Sequence, residues 1–402
     1  MILRLVQLCL RLIAIGGKLV LVIVLGKALD SENVADYVLI ASTVLFVTFF
    51  LGFEFHTYST RELIKTKNYD FILSNKIKLF FIVYVILLFL FWFYKFFGGG
   101  EVSYLVLFII IIEHFLQEAE RLLVALQKQL CATIVLMFRS GFWCYAIGFV
   151  YLIGDDISLG KVISFWLTGD VLGLILVFSL LKVSGFKISV SYDLSWLIRG
   201  IKVSVPFLFS ALFMRLFFIL DRYFISWFDS KENVAIYGFF INFANLLLIV
   251  SGPLISVFLY PKLISFYSNA DFVSFRKTVG KFYIQMCFFS LLCILFVCLL
   301  TSPVLEIIGK NYLHSGVDVL YLQFAALFFY NLSVVPHYIL YSFNFDKVIF
   351  YISLLSVSIF LFCIGILHNF LGMLHTVSFA MIISFLFMFL SKYYWSKKLC
   401  SY

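Results

Sequence analysis

ENVADYVLIASTVLFVTFFLGFE, residues 32–54, opens on a polar hexapeptide and then runs on almost without charge. The apolar part has the length of roughly 20 residues that a helix needs to cross a bilayer. The hexapeptide returns at residues 232–237 as ENVAIY, five identities in six at an offset of 200, and again leads straight into a long apolar run. Two copies at equal positions ahead of a spanning segment read as an internal duplication of a membrane bundle.

The rest of the chain agrees. Of its 402 residues 64% are hydrophobic and only 13% charged, with 52 Phe, and its mean hydropathy is +1.09. A water-soluble domain keeps apolar usage near half. No period-2 pattern recurs, so the spans are helices rather than barrel strands. Polar breaks divide the chain into twelve expected spans: 5–26, 34–54, 77–97, 102–123, 131–153, 160–181, 201–222, 235–259, 282–302, 316–341, 347–367 and 371–391. The first reads as an anchor rather than a processed leader, because it continues into further spans. The expected fold is therefore all-α and polytopic. Two six-helix lobes, 1–181 and 201–402, are joined by a basic cytoplasmic linker, 182–200. An even number of spans per repeat gives both copies one orientation, and two such bundles can rock about a central cavity in alternating access.

Lys and Arg set the orientation. With the N-terminus inside, the cytoplasmic segments hold 21 of the 30 and the opposite side 6, which predicts N-in and C-in. A net charge of +9 then reflects the positive-inside bias and not nucleic-acid binding. Eight cysteines, mostly within apolar stretches and without a CxxC pair, support neither a zinc site nor a disulfide framework. With no Walker motif, direct ATP use is disfavoured.

Three cations, Lys18, Arg139 and Arg215, fall inside the expected spans, where ionised groups are costly and usually face protein or a wet cavity. They describe either a cavity that receives an anion, such as a phosphate or diphosphate, or, for Arg139, a side chain that snorkels or pairs with a local acid. Glu113 and Asp170 are candidates for proton or ion coupling. Glu54 and Asp221 stand near span ends as coupling, gating or interface residues, and Asp221 with Arg222 could equally be a structural pair. Glu113, Gln117 and Glu120 share one stripe of span four. All five prolines lie after residue 200, so the second lobe is expected to be the more bent. Gly16 and Gly17 are either a bend or a place of close helix approach.

The stretch Asp221-Arg222-Tyr223-Phe224-Ile225, then Val234-Ala235-x-Tyr237 and, beyond a long apolar run, Pro261-Lys262-Leu263, resembles the O-antigen and capsular polysaccharide flippases of the MATE-like exporter superfamily. Ala235 stands where that family usually has glycine. Val34 to Arg61, with Leu51-Gly52-Phe53-Glu54, and Ile308-Gly309-Lys310-x-Tyr312 leading to Asn344 and Lys347, are similar to two further regions of it. The resemblance implies a non-enzymatic flippase of a bacterial inner membrane. It would move an undecaprenyl-diphosphate-linked oligosaccharide from the cytoplasmic to the periplasmic leaflet, beside a glycan polymerase and other assembly proteins. Lys18, Arg139, Arg215 and Arg222 would meet the diphosphate, with no cofactor beyond a proton or sodium gradient. The rival reading is a small-molecule or drug exporter of the same architecture. A pump for cationic drugs would need acids where basic residues predominate here, and an oligosaccharide polymerase would need a large periplasmic loop.

Overall fold

The computed structural model describes residues 2–97, 103–126, 128–183 and 193–400. Of the expected linker 182–200, residues 184–192 lie outside them. The described elements are helices throughout. They are α1 (Ile2–Ala28), α2 (Ser31–Leu51), α3 (Phe55–Thr66), α4 (Tyr69–Phe96), α5 (Tyr104–Ala125), α6 (Gln129–Met137), α7 (Trp143–Leu152), α8 (Leu159–Val183) and α9 (Leu194–Phe228). They continue as α10 (Lys231–Ala244), α11 (Leu246–Ser251), α12 (Val257–Ser268), α13 (Phe272–Ile308), α14 (Asn311–His314), α15 (Val317–Ser342), α16 (Asp346–Leu367) and α17 (Met373–Cys400). Single π turns, Phe138–Phe142 and Gly252–Ser256, join α6 to α7 and α11 to α12.

Ten described helices are long and apolar enough to cross a membrane, and α9, bent by 48° between Leu194–Phe209 and Ala211–Phe228, makes an eleventh. Pro206 sits just before that bend and removes a backbone donor from the helix interior. The remaining expected span, 102–123, is α5. Its 22 residues reach about 33 Å, but Glu113, Glu118, Glu120 and Arg121 make it too polar to qualify by composition. This is a multi-pass membrane protein. Its lipid face is evident in α4 and α13, where Phe81, Phe89, Ile284, Phe288 and Leu299 are more than half exposed, a surface that water would not tolerate at this extent.

By packing, the chain divides into two compact units. One contains Met1–Leu29 and Leu39–Leu212, the other Asp30–Val38 and Phe213–Tyr402. In the first, Phe55, Leu63, Ile72, Phe80 and Trp196 form one core cluster, and Leu116, Leu123, Val135 and Val177 another. In the second, Leu263, Phe275, Phe282, Met286 and Val335 pack together. The start of α2 belongs with α10. Lys231 pairs with Asp36 at 3.2 Å, and Val38 fills the space that a side chain at Gly238 would need. Positions 38 and 238, equivalent in the duplicated segments, therefore touch.

The duplication extends beyond the hexapeptide. Asn33 Nδ2 donates to Asp30 Oδ1 at 2.7 Å, and Asn233 Nδ2 donates to Asp229 Oδ1 at 2.8 Å. Each copy is followed by a 12-residue helix, α3 or α12. A left-handed residue follows each, Lys67 (φ 54) directly after α3 and Ala270 (φ 56) one residue beyond the Asn269 cap of α12. An Asx residue then starts the next long helix: Asn68 accepts from Phe71 N at 3.3 Å and Asp271 from Ser274 N at 3.0 Å. The basic stretches between expected spans, 55–76 and 260–281, are thus largely helical, because these side chains satisfy the first free N–H groups of α4 and α13. α4 begins eight residues before the expected span, which places Lys76 inside a helix.

α1 runs straight through Gly16 and Gly17, so here the glycines serve close approach. A Cβ on Gly17 would lie 2.7 Å from the Gly141 carbonyl oxygen, and one on Gly141 would lie 2.8 Å from Ala14 Cα. Tyr145 Oη ties the crossing by donating to Ile13 O at 2.8 Å. Small residues at a helix crossing let backbones meet where there is no hydrophobic drive between helices. Gly141→Val is expected to lower stability by about 1–3 kcal/mol through overpacking. Fluorescence-detected chromatography after heating would read this, and an unchanged melting point would show that the crossing is looser than described.

Between α2 and α3 the chain turns through two left-handed non-glycine residues, Phe53 (φ 47) and Glu54 (φ 52). His56 follows, 3.4 Å from Glu54 Oε2. Burial, helped by the Arg121 charge, pushes the His56 imidazole down to about 4. The folded state therefore holds His56 unprotonated while the unfolded chain binds a proton below about 6.5. Its contribution is constant above that value and is lost as pH falls from about 6.5 towards 4, by up to about 3 kcal/mol. The melting point of the wild type should fall more steeply across this window than that of His56→Phe. Parallel curves would remove His56 as a cause.

Candidate functional site: charged networks within each unit

In the first unit, the π turn Phe138–Phe142 aims Arg139 at α5. Its Nη1 donates to Glu113 Oε2 at 3.0 Å. Its Nε lies 3.0 Å from Glu120 Oε1, an ion pair without hydrogen-bond alignment. One guanidinium thus lies between two carboxylates seven residues apart on α5, the spacing that brings both onto one face. Trp166 Nε1 on α8 donates to Glu113 Oε1 at 3.1 Å, and its ring stacks on Trp143 at 5.5 Å and 8°. Trp143 Nε1 in turn donates to Arg139 O at 2.9 Å. The two indoles hold the acid and the arginine in register and keep water from them.

Asp170, one turn after Trp166, is fully buried. Neither of its oxygens has a hydrogen-bond partner among the described residues, and Glu113 and Arg139 are within electrostatic reach. A buried polar group without a partner is costly, which makes Asp170 a candidate functional group. Lys18 on α1 is exposed and within electrostatic reach of Glu120. The structure therefore brings together Glu113, Glu120, Asp170 and Arg139, with Lys18 at the margin. It places Glu54 elsewhere, at the left-handed turn beside His56.

A second cluster in this unit was not singled out from sequence. Glu118, the next acid on α5, takes Lys76 Nζ on Oε2 at 2.5 Å and Arg121 Nη1 on Oε1 at 2.5 Å. His114 Nδ1 and Tyr84 Oη are 2.7 Å apart. The available signal was Lys76 itself, a cation at the very edge of an apolar run with an unmatched acid in the following span.

In the second unit, Asp221 is fully buried on α9. Its Oδ2 accepts from Tyr237 Oη at 2.9 Å and its Oδ1 from Arg222 N at 2.7 Å. Tyr237 also reaches Met381 Sδ at 3.1 Å, so the motif tyrosine ties α9, α10 and α17. The Arg222 guanidinium turns back to Phe218 O at 3.1 Å. Arg215, one helical turn before Ile219, is half-buried and within electrostatic reach of Tyr330. Ser251, Asn331 and Ser290 form a further buried chain, with Ser251 Oγ to Asn331 Oδ1 and Asn331 Nδ2 to Ser290 Oγ both at 2.8 Å. Among the described residues no group of three His, Cys, Asp or Glu is arranged to hold a metal ion.

Solved structures share this fold. An inward-facing multidrug resistance MATE family transporter of the MOP superfamily superposes with a TM-score of 0.77 at 14% identity, covering 99% of this chain and 98% of that one. The lipid II flippase MurJ in an inward closed conformation gives 0.75 at 16%, with 98% and 87% covered. A point mutant of the Vibrio cholerae MATE transporter VcmN gives 0.68 at 14%, with 98% and 94% covered. At these identities the likeness shows the fold alone, a MATE-like one, as the sequence predicted. No curated protein sequence matches this chain. The family model described as polysaccharide biosynthesis protein matches residues 3–267, about two-thirds of the chain, and the protein belongs to that family.

Proposed function

We propose that the protein flips an undecaprenyl-diphosphate-linked oligosaccharide from the cytoplasmic to the periplasmic leaflet of a bacterial inner membrane by alternating access between lobes 1–181 and 201–402. The observation that carries this reading is the match to the polysaccharide biosynthesis family over the same chain that has the fold of exporters and of a lipid flippase. The cargo is anionic and amphipathic, and the chain supplies cations at membrane depth with no Walker motif. Lys18, Arg215 and Arg222 are the groups we assign to the diphosphate.

Arg139 meets the diphosphate only conditionally, because two carboxylates already neutralise it. We assign it to coupling. A proton taken up by Glu113, Glu120 or the adjacent Asp170 weakens the hold on the guanidinium and leaves it free for a phosphate oxygen. Return of the carboxylate charge displaces that oxygen. Asp221, held by Tyr237, and Glu54 at its turn are the corresponding candidates for gating, and the glycan polymerase and assembly proteins are the expected downstream partners. Deletion of the gene in its host is the test. Loss of one surface polysaccharide with accumulation of its lipid-linked unit supports the reading. Unchanged surface glycan, or altered drug efflux alone, rejects it.

A further inference from the structure

Between α4, α5 and α8 of the first unit lies an apolar groove that the protein does not fill. Its volume is about 160 Å³, walled by Phe80 and Phe81 of α4, Ala119 and Leu123 of α5, and Val177 and Leu181 of α8. A dry apolar cavity of roughly 150 Å³ is large enough to take a benzene-sized group, and an open one on a lipid face is filled by hydrocarbon. Phe81 at the rim is 67% exposed, so the groove opens to the bilayer. One stretch of its wall is not apolar: Lys76 and Glu118 line it, and Arg121 bonds the same carboxylate. Two cations on one acid leave the triad with an excess positive charge.

The groove has a direction and a length. Lys182, exposed, is the next residue after Leu181 at the basic-loop end of α8. At the other end the last α4 residue of the wall is Tyr84, whose Oη is 2.7 Å from His114 Nδ1. From Leu73 to Tyr84 the α4 wall rises about 16 Å, close to the half-thickness, about 15 Å, of the hydrocarbon core. A chain lying along this wall reaches mid-membrane with its headgroup among basic side chains, whereas a polyprenyl chain is several times longer than the wall. We infer that the α4–α5–α8 groove binds one acyl chain of an anionic phospholipid from the leaflet on the basic-loop side, with its phosphate drawn to Lys182 and to the excess charge of Lys76, Glu118 and Arg121. The bound chain also fills the seam that α4 leaves against α5 and α8.

The test is photo-labelling of the full-length protein in nanodiscs with phosphatidylglycerol and phosphatidylethanolamine that carry the same photoreactive acyl chain, followed by peptide mapping. Labels are expected on peptides containing residues 73–84 and 115–123, about fivefold stronger with phosphatidylglycerol, which is what one basic residue near an anionic headgroup contributes. Ala119→Phe fills the groove and should lower labelling about tenfold or more, the effect of about two methylene groups losing their burial. Val177→Phe fills it from the opposite wall and provides the same reading should Ala119→Phe fail to fold as a monodisperse protein. Equal labelling by the two lipids, or undiminished labelling of the filled variants, overturns the inference. Stronger labelling by a photoreactive polyprenyl phosphate also overturns it and gives the groove to the cargo's tail.

Discussion

Arg139→Gln is expected to cost about 3–5 kcal/mol of folding stability, the usual effect of removing one partner from a buried ion pair. The loss arises less from the missing attraction than from what remains. Glu113 and Glu120 would be left facing each other on one side of α5 beside Asp170, with no cation between them. Folded protein recovered from membranes, and its melting point, should both fall sharply. The triple variant Arg139→Gln, Glu113→Gln, Glu120→Gln should recover much of that stability, since it exchanges three charges for neutral amides of similar shape, while transport stays absent. An unaltered melting point for the single variant would mean that the ion pairs at 3.0 Å contribute nothing to the fold. Charge reversal at Arg139 is for the same reason a poor probe of substrate binding: it removes the fold together with the function.

Asp170→Asn should behave in the opposite way. The amide is nearly isosteric and carries no charge, and neither oxygen it replaces has a hydrogen-bond partner among the described residues, so the melting point should stay within a few degrees of wild type. Transport should nevertheless fall about tenfold or more, since a coupling worth only about 1.4 kcal/mol already amounts to that factor and asparagine can take up no proton. Export of the lipid-linked unit in a strain that depends on this protein, measured at equal membrane levels, is the readout. Full activity in Asp170→Asn would remove this carboxyl from the coupling scheme and leave Glu113 and Glu120 to carry it.

The fold was legible because its driving term is long-range in sequence only by repetition. Each apolar run reports its own helix, and the spacing of Lys and Arg reports which ends share a face. Even the duplication could be read from six residues, although the matching left-handed residues, Lys67 and Ala270, and the Asx caps that follow them carry no shared letters. The charged network was half legible. Lys18, Arg139, Glu113 and Asp170 stood out as charges at membrane depth. That Arg139 is held by Glu113 and Glu120, 26 and 19 positions earlier in the chain, depends on how α5 and the π turn pack, and no local pattern encodes it. Lys76 was hidden for a simpler reason. Counted among loop cations, it belongs to a helix whose start is set by the Asn68 cap, and a shift of two turns moves it from solvent to the core.

The polarity of α5 has a consequence for how the chain is made. A charged residue at the centre of a segment raises the cost of entering the bilayer through the translocon by about 2.5–3.5 kcal/mol, and α5 bears four charges. Left to itself it would stall at the lateral gate. Its counter-charges come from both neighbours, Lys76 on the helix synthesised before it and Arg139 on the one synthesised after. Insertion of α5 is therefore expected to follow the order of synthesis, with entry as a hairpin with α4 and release into lipid once the following helix supplies Arg139.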